Sequence, residues 1–147
     1  MAATSDHSTD ISGISALGNG LAEEVDVIAS CEDDGDIAIL IWRHADDQYA
    51  ADTATARVDL EVNGLDSGTW TVEHFRIDHN HSNSHTVWQD LGAPQDLRPE
   101  QLAAITASQG LERFTDDVMV EIDGGFTVPL DLPLPALSLV LLKKGAA

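Results

Sequence analysis

The chain is poor in cysteine, in aromatic residues and in positive charge. Among its 147 residues Cys31 is the only cysteine, which excludes an internal disulfide and a thiol-rich zinc site. Aromatic residues make up 5% of the chain. No uninterrupted apolar run reaches the roughly 18 residues that a membrane-spanning helix needs. The fold must therefore be held together by packing rather than by disulfides.

Acidic residues dominate the charge, with 26 Asp and Glu against 7 Lys and Arg and a net charge of −19. Contact with phosphate groups needs clustered Lys and Arg, so neither nucleic acid nor an anionic membrane is an expected partner. The acids are dispersed among β-rich segments such as VDLEV and VMVEI, which indicates a folded domain rather than a disordered acidic tail. The acidic surface that this predicts resembles those of proteins from high-salt organisms.

The length and the apolar content of 43% suit a single domain with one sizeable core. The start, MAATSDHSTD, lacks the basic and apolar regions of a secretory signal, so a soluble chain without an export signal is expected. We predict a flexible or linker-like segment over residues 1–24, the folded domain over residues 25–142, and a C-terminal tail over residues 143–147.

Short β-like runs separated by turn residues begin at Val25. The runs VDVIAS and IAILIWR flank Asp34-Gly35, a strong hairpin signal, and the second run is apolar on both faces, as in a central strand. Further strands are predicted at RVDLEV, TWTVEHFRI, VMVEI, FTVPL and ALSLVLL, with turns at residues 63–68 and 123–125. About seven or eight strands predict a mainly β protein, an antiparallel β-sandwich.

Between these β segments, over about residues 84–110, the apolar period changes from two to three or four. RPEQLAAITASQG is typical of a helix, since Pro99 suits a first-turn position and Gly110 supplies a C-terminal stop. SHTVWQDLG predicts a shorter helix closed by Gly92. The sequence therefore predicts a two-helix insertion in the β-sandwich.

Three histidines, His79, His81 and His85, lie within seven residues of one another and follow Asp78. Such side chains can bind zinc, but their spacing matches none of the familiar structural zinc sites. The alternative is a polar loop in which Asn and Ser side chains hold irregular backbone by local hydrogen bonds. We predict the polar loop, with no metal and no cofactor.

Catalysis and sugar binding have weaker signals. The chain contains no G-x-S-x-G nucleophile motif, and a glycosidase carboxylate pair leaves no local trace among 26 acids. Exposed aromatic rings could form a sugar platform, for which Trp42, Tyr49, Trp70 and Trp88 are the candidates. Because Trp is usually buried, roles in the core or at an interface are favoured for them.

Residues 74–112 as a whole, HFRIDHNHSNSHTVWQDLGAPQDLRPEQLAAITASQGLE, resemble the C-terminal region of glycoside hydrolase family 39, the β-xylosidases and their α-L-iduronidase relatives. The resemblance rests on five ordered elements, at residues 75–78, 81–83, 86–88, 92–95 and 99–101. It extends over about residues 25–142, although Arg43 and His44 stand where the family has Asn-Tyr.

The resemblance implies the accessory β-sandwich that flanks the (β/α)₈ catalytic barrel of these enzymes. A barrel needs roughly 200 to 250 residues, which this chain cannot supply beside a sandwich. The Asn-Glu-Pro motif that carries the family's general acid/base Glu does not occur in the chain. No catalytic residue is therefore predicted. The expected partner is a family 39 barrel, in cis or in trans, and localisation stays open because a parent enzyme could be secreted.

We expect the histidine loop and the two helices to face that barrel. The residues predicted for this interface, or for sugar contact, are His79, His81, Asn83, His85, Trp88 and Trp70. The alternative function is a carbohydrate-binding module that recognises xylan or xylo-oligosaccharides.

Overall fold

The structure, a computed structural model, describes residues 14–16, 25–33, 35–45 and 54–145. These residues form six strands and two helices: β1 (Ile14–Ala16), β2 (Val25–Cys31), β3 (Ile37–Arg43), β4 (Ala56–Ile77), α1 (Ser84–Asp90), α2 (Pro99–Ala107), β5 (Glu112–Leu132) and β6 (Ala136–Lys144). Every strand pair is antiparallel. The predicted mainly β, antiparallel class with a two-helix insertion is confirmed.

The strands belong to one sheet in the order β1-β4-β6-β3-β2, and β5 pairs with β4. As its apolar sequence predicts, β3 is bonded on both edges, and Ile39 and Ile41 are fully buried. The predicted hairpin joins β2 to β3, where the Gly35 N–H donates to the Glu32 carbonyl at 3.0 Å and Gly35 has a φ of +95°. Asp34 lies outside the described residues.

The turns predicted at residues 63–68 and 123–125 are wrong, because both segments lie inside strands. They face each other across the β4–β5 pair, with Asn63 opposite Gly125 and Leu65 opposite Gly124. Register shifts occur on both sides of Leu65, and Gly64 and Gly124 have φ values of +78° and +79°. The glycines thus bend two long paired strands together instead of reversing the chain. Two long strands consequently replace four short ones, and the described residues contain six strands rather than seven or eight.

The bend gives the molecule one core. Val58 and Leu60, before the bend in β4, belong to the same buried cluster as Trp70, after the bend, and as Ile41 of β3 and Val140 of β6. The β4–β5 ribbon therefore packs against the rest of the sheet. The hydrogen bonding is that of one continuous sheet, so the predicted division into two separate sheets is not confirmed.

Buried polar side chains lie within and beside this core. Arg43 is 1% exposed, and its Nη1 donates to the carbonyls of Ala54 at 2.7 Å and Leu132 at 3.2 Å. Arg76 and His74, neighbours on the core-facing side of β4, are also buried. Carbonyl acceptors at the ends of the β4–β5 ribbon thus stabilise the charge of Arg43 and fix β3 to it.

The ends of the chain are described only in part. Strand β1, which the sequence did not indicate, lies within the predicted flexible segment 1–24 and pairs with residues 58–60 of β4. The remainder of that segment lies outside the described residues, as do residues 46–53 and the last two residues of the predicted tail. None of the described helices has the length and apolar character required to cross a membrane.

Acid is expected to destabilise the fold through His74. Burial of its ring, and secondarily the charge of Arg76, lower the pKa of His74 from 6.5 to about 4. Between these values the unfolded chain binds a proton that the folded chain does not, so the free energy of unfolding falls as the pH drops. At about pH 4.5 the loss due to this one residue should reach about 2 to 3 kcal/mol.

Urea unfolding of the wild type and of His74→Gln at neutral and acidic pH measures this loss. The variant should lose less stability on acidification than the wild type, by the amount given above. His79→Gln, at an exposed position, is the matched control and should behave like the wild type. If acidification lowered the free energy of unfolding equally in His74→Gln and in the wild type, His74 would not be the source of the acid sensitivity.

Candidate functional site

The candidate site is the loop of residues 78–83, which joins β4 to α1. Its centre is Asp78, a residue only 8% exposed. Asp78 Oδ1 accepts hydrogen bonds from the backbone N–H groups of Asn80 at 2.8 Å and His81 at 2.9 Å, and lies 2.8 Å from His81 Nδ1. The Asp78 N–H donates to the His81 carbonyl at 3.1 Å. One carboxylate thus holds the whole turn in a single conformation.

The electrostatics of Asp78 suit this role. Its burial alone would raise its pKa, but hydrogen bonds from His81 and from the Asn80 backbone outweigh burial and hold the pKa below its usual value of 3.8. Arg76 Nη1 lies 3.6 Å from Asp78 Oδ2. Asp78 is therefore a fixed anion at neutral pH and is unsuited to donate a proton as a general acid.

A second set of bonds ties the end of the loop to β5. Ser82, which has a φ of +52°, donates from Oγ to the Arg76 carbonyl at 2.7 Å. The Glu112 N–H donates to Ser82 Oγ at 2.8 Å, and Glu112 Oε2 accepts from the Ser82 N–H at 3.2 Å. Both ends of the helical insertion are thereby fixed at one point. The sequence gives no sign of this pairing, since the two residues are 30 positions apart.

The helices that follow are fixed by caps. Asn83 Oδ1 accepts from the N–H groups of His85 at 3.1 Å and Thr86 at 3.3 Å and so caps α1. In α2, Pro99 occupies the predicted first turn, and Gln101 Oε1 accepts from the Arg98 N–H at 3.0 Å. α2 ends at Ala107, three residues before the predicted stop at Gly110. Gln101 is buried, whereas α1 has no buried residue. The insertion is ordered chiefly by polar contacts.

The predicted site residues do not all come together. His79 and His85 are exposed, and His81 and Asn83 are half-buried in the loop and bonded as described. Trp88 is half-buried, with its ring 5.4 Å from that of His85 and its Nε1 donating to the Pro94 carbonyl at 3.0 Å.

Trp70 is a correction to the predicted surface. It is 2% exposed in the core, and its Nε1 donates to the Asp66 carbonyl at 3.1 Å. Trp70 lies on the core-facing side of a bent strand, which explains why it is buried and not on the predicted interface. Tyr49 lies outside the described residues.

The histidines do not converge on a common point. Within the part of the chain that the structure describes, no group of three or more His, Cys, Asp or Glu side chains is arranged to hold a metal ion. His81 is directed to Asp78, His85 to Trp88, and the His79 carbonyl accepts from Thr86 Oγ1 at 2.7 Å.

A groove of about 420 Å³ lies beside the loop. Its apolar lining is formed by Trp42 at the end of β3, by Ile77 and by Leu137, while Asp78 and His79 are among its polar residues. Of the described residues that line it, Asp78 is the one carboxylate. A retaining or inverting glycosidase needs a pair of opposed carboxyl groups, which this groove does not offer.

Sequence reasoning missed Arg76 and Glu112 as parts of the site. Arg76 had a usable signal, because strand alternation places it on the same face as the apolar Val72. A charged side chain at a core-facing position indicates a specific partner, here the loop carboxylate of Asp78.

Replacing Asp78 by Asn is expected to lower the free energy of unfolding by about 1 to 3 kcal/mol, because an amide loses the charge-assisted bonds and leaves Arg76 without its ion pair. Chemical denaturation measures the loss. Asp90→Asn, at an exposed position in α1, is the control and should stay within about 0.5 kcal/mol of the wild type.

Since the pKa of Asp78 is lowered in the folded protein, the stabilisation that its carboxylate provides is present above about pH 4 and disappears as the pH falls through the pKa of the folded state. Equal effects of the two substitutions would argue against Asp78 as the centre of the loop.

Comparison with known proteins gives matches at the level of structure. No protein-family model and no curated protein sequence matches the chain. A glycoside hydrolase family 39 enzyme from Xanthomonas axonopodis pv. citri matches with a TM-score of 0.70 and 17% identity, over 81% of this chain and 26% of the enzyme. A bacterial orthologue of human α-L-iduronidase matches with a TM-score of 0.71 and 25% identity, over 84% of this chain and 22% of the orthologue.

A monomeric β-xylosidase from Caulobacter crescentus CB15 matches with a TM-score of 0.65 and 21% identity, over 82% of this chain and 26% of that enzyme. The chain thus spans about a quarter of the length of each of these enzymes, and most of what they contain has no counterpart in it. Its fold is that of one part of glycoside hydrolase family 39 enzymes, which supports the resemblance predicted from residues 74–112.

Proposed function

We propose that this chain is a non-catalytic accessory domain of a family 39 glycosidase of the β-xylosidase type. In the parent enzyme it would lie C-terminal to the (β/α)₈ catalytic domain and pack against it. Two observations support the absence of catalysis: the chain matches only about a quarter of its relatives, and the groove beside the loop is lined by a single described carboxylate that is fully engaged.

The observation that carries the docking role is the apolar surface of the helical insertion. Leu102 of α2 is 53% exposed, and Leu91, Leu97 and Ile77 are also exposed. Helices this short are not stable alone in water and usually gain their stability by packing an apolar face. Here the two helices bury only Gln101, while polar bonds hold the insertion in place. An ordered insertion that leaves large apolar side chains in water is typical of a surface that a neighbouring domain covers.

The groove beside the loop adds further apolar side chains to those of the insertion. Trp42 and Leu137 line it, and Ile77 is common to the groove and the exposed set. Domains within one chain commonly bury about 600 to 1,500 Å² against each other, and a contact in that range is expected here. We call this combined surface, formed by Ile77, Leu91, Leu97, Leu102, Trp42 and Leu137, the docking surface.

Recognition of xylan or xylo-oligosaccharides by aromatic side chains remains the alternative function, but it has less support. Trp70 lies in the core, and Trp88 is half-buried with its Nε1 already bonded to Pro94. A flat platform of exposed rings, such as sugar-binding modules use, is not formed by these two residues.

The docking proposal is tested with two separate proteins, this chain and the (β/α)₈ domain of a family 39 β-xylosidase expressed without its own accessory domain. Isothermal titration calorimetry should show saturable binding with a Kd on the order of 1 μM. Leu102→Asp should weaken binding by about tenfold or more, because it places a charge in the proposed apolar contact.

Met119→Asp is the matched control. Met119 is 77% exposed on β5, pairs with Thr71 of β4 and does not line the groove, so the same change there should leave the affinity unaltered. Equal losses in the two variants, or no binding to any family 39 catalytic domain tested, would contradict the proposal.

A further inference from the structure

The part of the sheet formed by β2, β3, β6 and the end of β4 has a side that points away from the core. Residues that lie directly opposite each other in antiparallel strands point to the same side of the sheet. The pairing of these four strands therefore aligns their side chains in rows, and two neighbouring rows are mainly apolar. We call the apolar residues of these two rows the outer face; they are Ile28, Leu40, Leu139 and Phe75, and beside them Trp42, Leu137 and Ile77.

The two sides of this sheet differ in burial although both are apolar. On the core side Ile39 and Val140 are fully buried, whereas their chain neighbours Leu40 and Leu139 on the outer face stay partly exposed. Ile28, at the edge of the outer face, is 60% exposed. Strands that are buried on both sides have nearly continuous apolar sequences, as β3 and β6 do. The sequence pattern is thus that of a sheet covered on both sides, and the outer face is the side that a further element would cover.

Charged groups lie at the border of the outer face. Asp26 is at its β2 edge, opposite the second row. In the next row along β4, the carboxylate of Glu73 lies 2.8 Å from Lys143 Nζ and 3.6 Å from Arg113 Nη2, which neutralise it. Met119 of β5 lies beyond this charged group. In a chain with a net charge of −19, the outer face thus has an apolar centre and a polar rim, the arrangement that is typical of an interface.

Charge, shape and position favour one kind of partner. A second copy of the chain would bring two charges of −19 together, and their repulsion opposes that contact. A (β/α)₈ domain presents a ring of helices on its outside, and a helix is a stable cover for the apolar face of a sheet. Four strands about 4.8 Å apart span about 14 Å, and a helix with its side chains is about 10 to 12 Å wide. The outer face therefore has the width of one helix. It also shares Trp42, Leu137 and Ile77 with the docking surface, so one partner can cover both.

We propose that one outer helix of the (β/α)₈ catalytic domain packs on the outer face. The apolar stripe of that helix contacts Ile28, Leu40 and Leu139, and its polar side lies towards the charged border. This inference rests on the proposed docking role and extends it, because it adds the sheet to the helices and the groove and names the element of the partner that the sheet receives.

Cross-saturation NMR tests the contact in the complex of the deuterated, methyl-labelled chain with an unlabelled family 39 (β/α)₈ domain. Saturation of the barrel protons should attenuate the methyl signals of Ile28, Leu40 and Leu139. Ile39 and Val140, on the core side of β3 and β6, are the internal control and should keep their intensity. Attenuation confined to the helices and the groove would overturn the inference and leave the docking role standing. With the barrel labelled instead, the attenuated signals should come from one outer helix, and attenuation of loop signals alone would also overturn it.

A pair of exposed variants gives an independent test by calorimetry with the same barrel. Ile28→Asp should weaken binding by about tenfold or more, because it places a charge in the contact. Val118→Asp is the matched control: Val118 is 52% exposed and pairs with the core-facing Val72, so it points to the other side of the sheet and its Kd should be unchanged. If Leu102→Asp weakens binding and Ile28→Asp does not, only this inference fails. If the wild type binds no barrel, the docking role fails and this inference fails with it.

Sedimentation velocity of the chain alone tests the rival occupant, a second copy. The chain should sediment as a monomer in dilute buffer and in molar NaCl, where the repulsion between copies is screened. A dimer that Ile28→Asp dissociates would assign the outer face to self-association and overturn the proposal.

Discussion

The bend shared by β4 and β5 is the constraint on which the other features depend. Two strands of 22 and 21 residues pair along their length and bend together where glycines take positive φ values. Because the ribbon bends towards its own buried face, Val58 and Leu60 on one side of the bend share a core with Trp70 on the other. Beyond this core, β4 ends at Ile77 and leads directly into the loop of residues 78–83.

At that end, polar interactions take over from apolar packing. Asp78 accepts hydrogen bonds from two backbone N–H groups and pairs with His81, and Ser82 joins the loop to Glu112. Arg76 contacts Asp78 in the loop and the Phe114 ring of β5. Hydrogen bonds of this kind hold the backbone in one conformation without requiring that apolar side chains be buried. The helices can therefore remain ordered while their leucines stay exposed, which is the property that a docking surface needs.

Local patterns predicted the elements well and predicted their assembly less well. The helices, the β2–β3 hairpin and the doubly paired β3 follow from capping residues, from Gly35 and from apolar runs. The turn predicted at residues 63–68 was wrong because glycines occur both in turns that reverse the chain and in bends within a strand. Only the pairing with a partner strand decides which of the two forms. Trp70 and Glu112 could not be assigned from the sequence, since the burial of Trp70 and the pairing of Glu112 with Ser82 arise from contacts distant in the chain. The histidine loop was predictable as a hydrogen-bonded turn, but not its attachment to β5.

The central claim, that two continuous bent strands enclose one core, is tested most directly by native-state amide hydrogen exchange. Leu60 and Val72 lie on opposite sides of the bend, and each is paired with strands on both edges. The account predicts that their amides exchange with the same opening free energy, because both halves of the ribbon open only when the common core opens. Opening free energies that differ by more than about 2 kcal/mol, with residues 63–68 exchanging as a free loop, would contradict it.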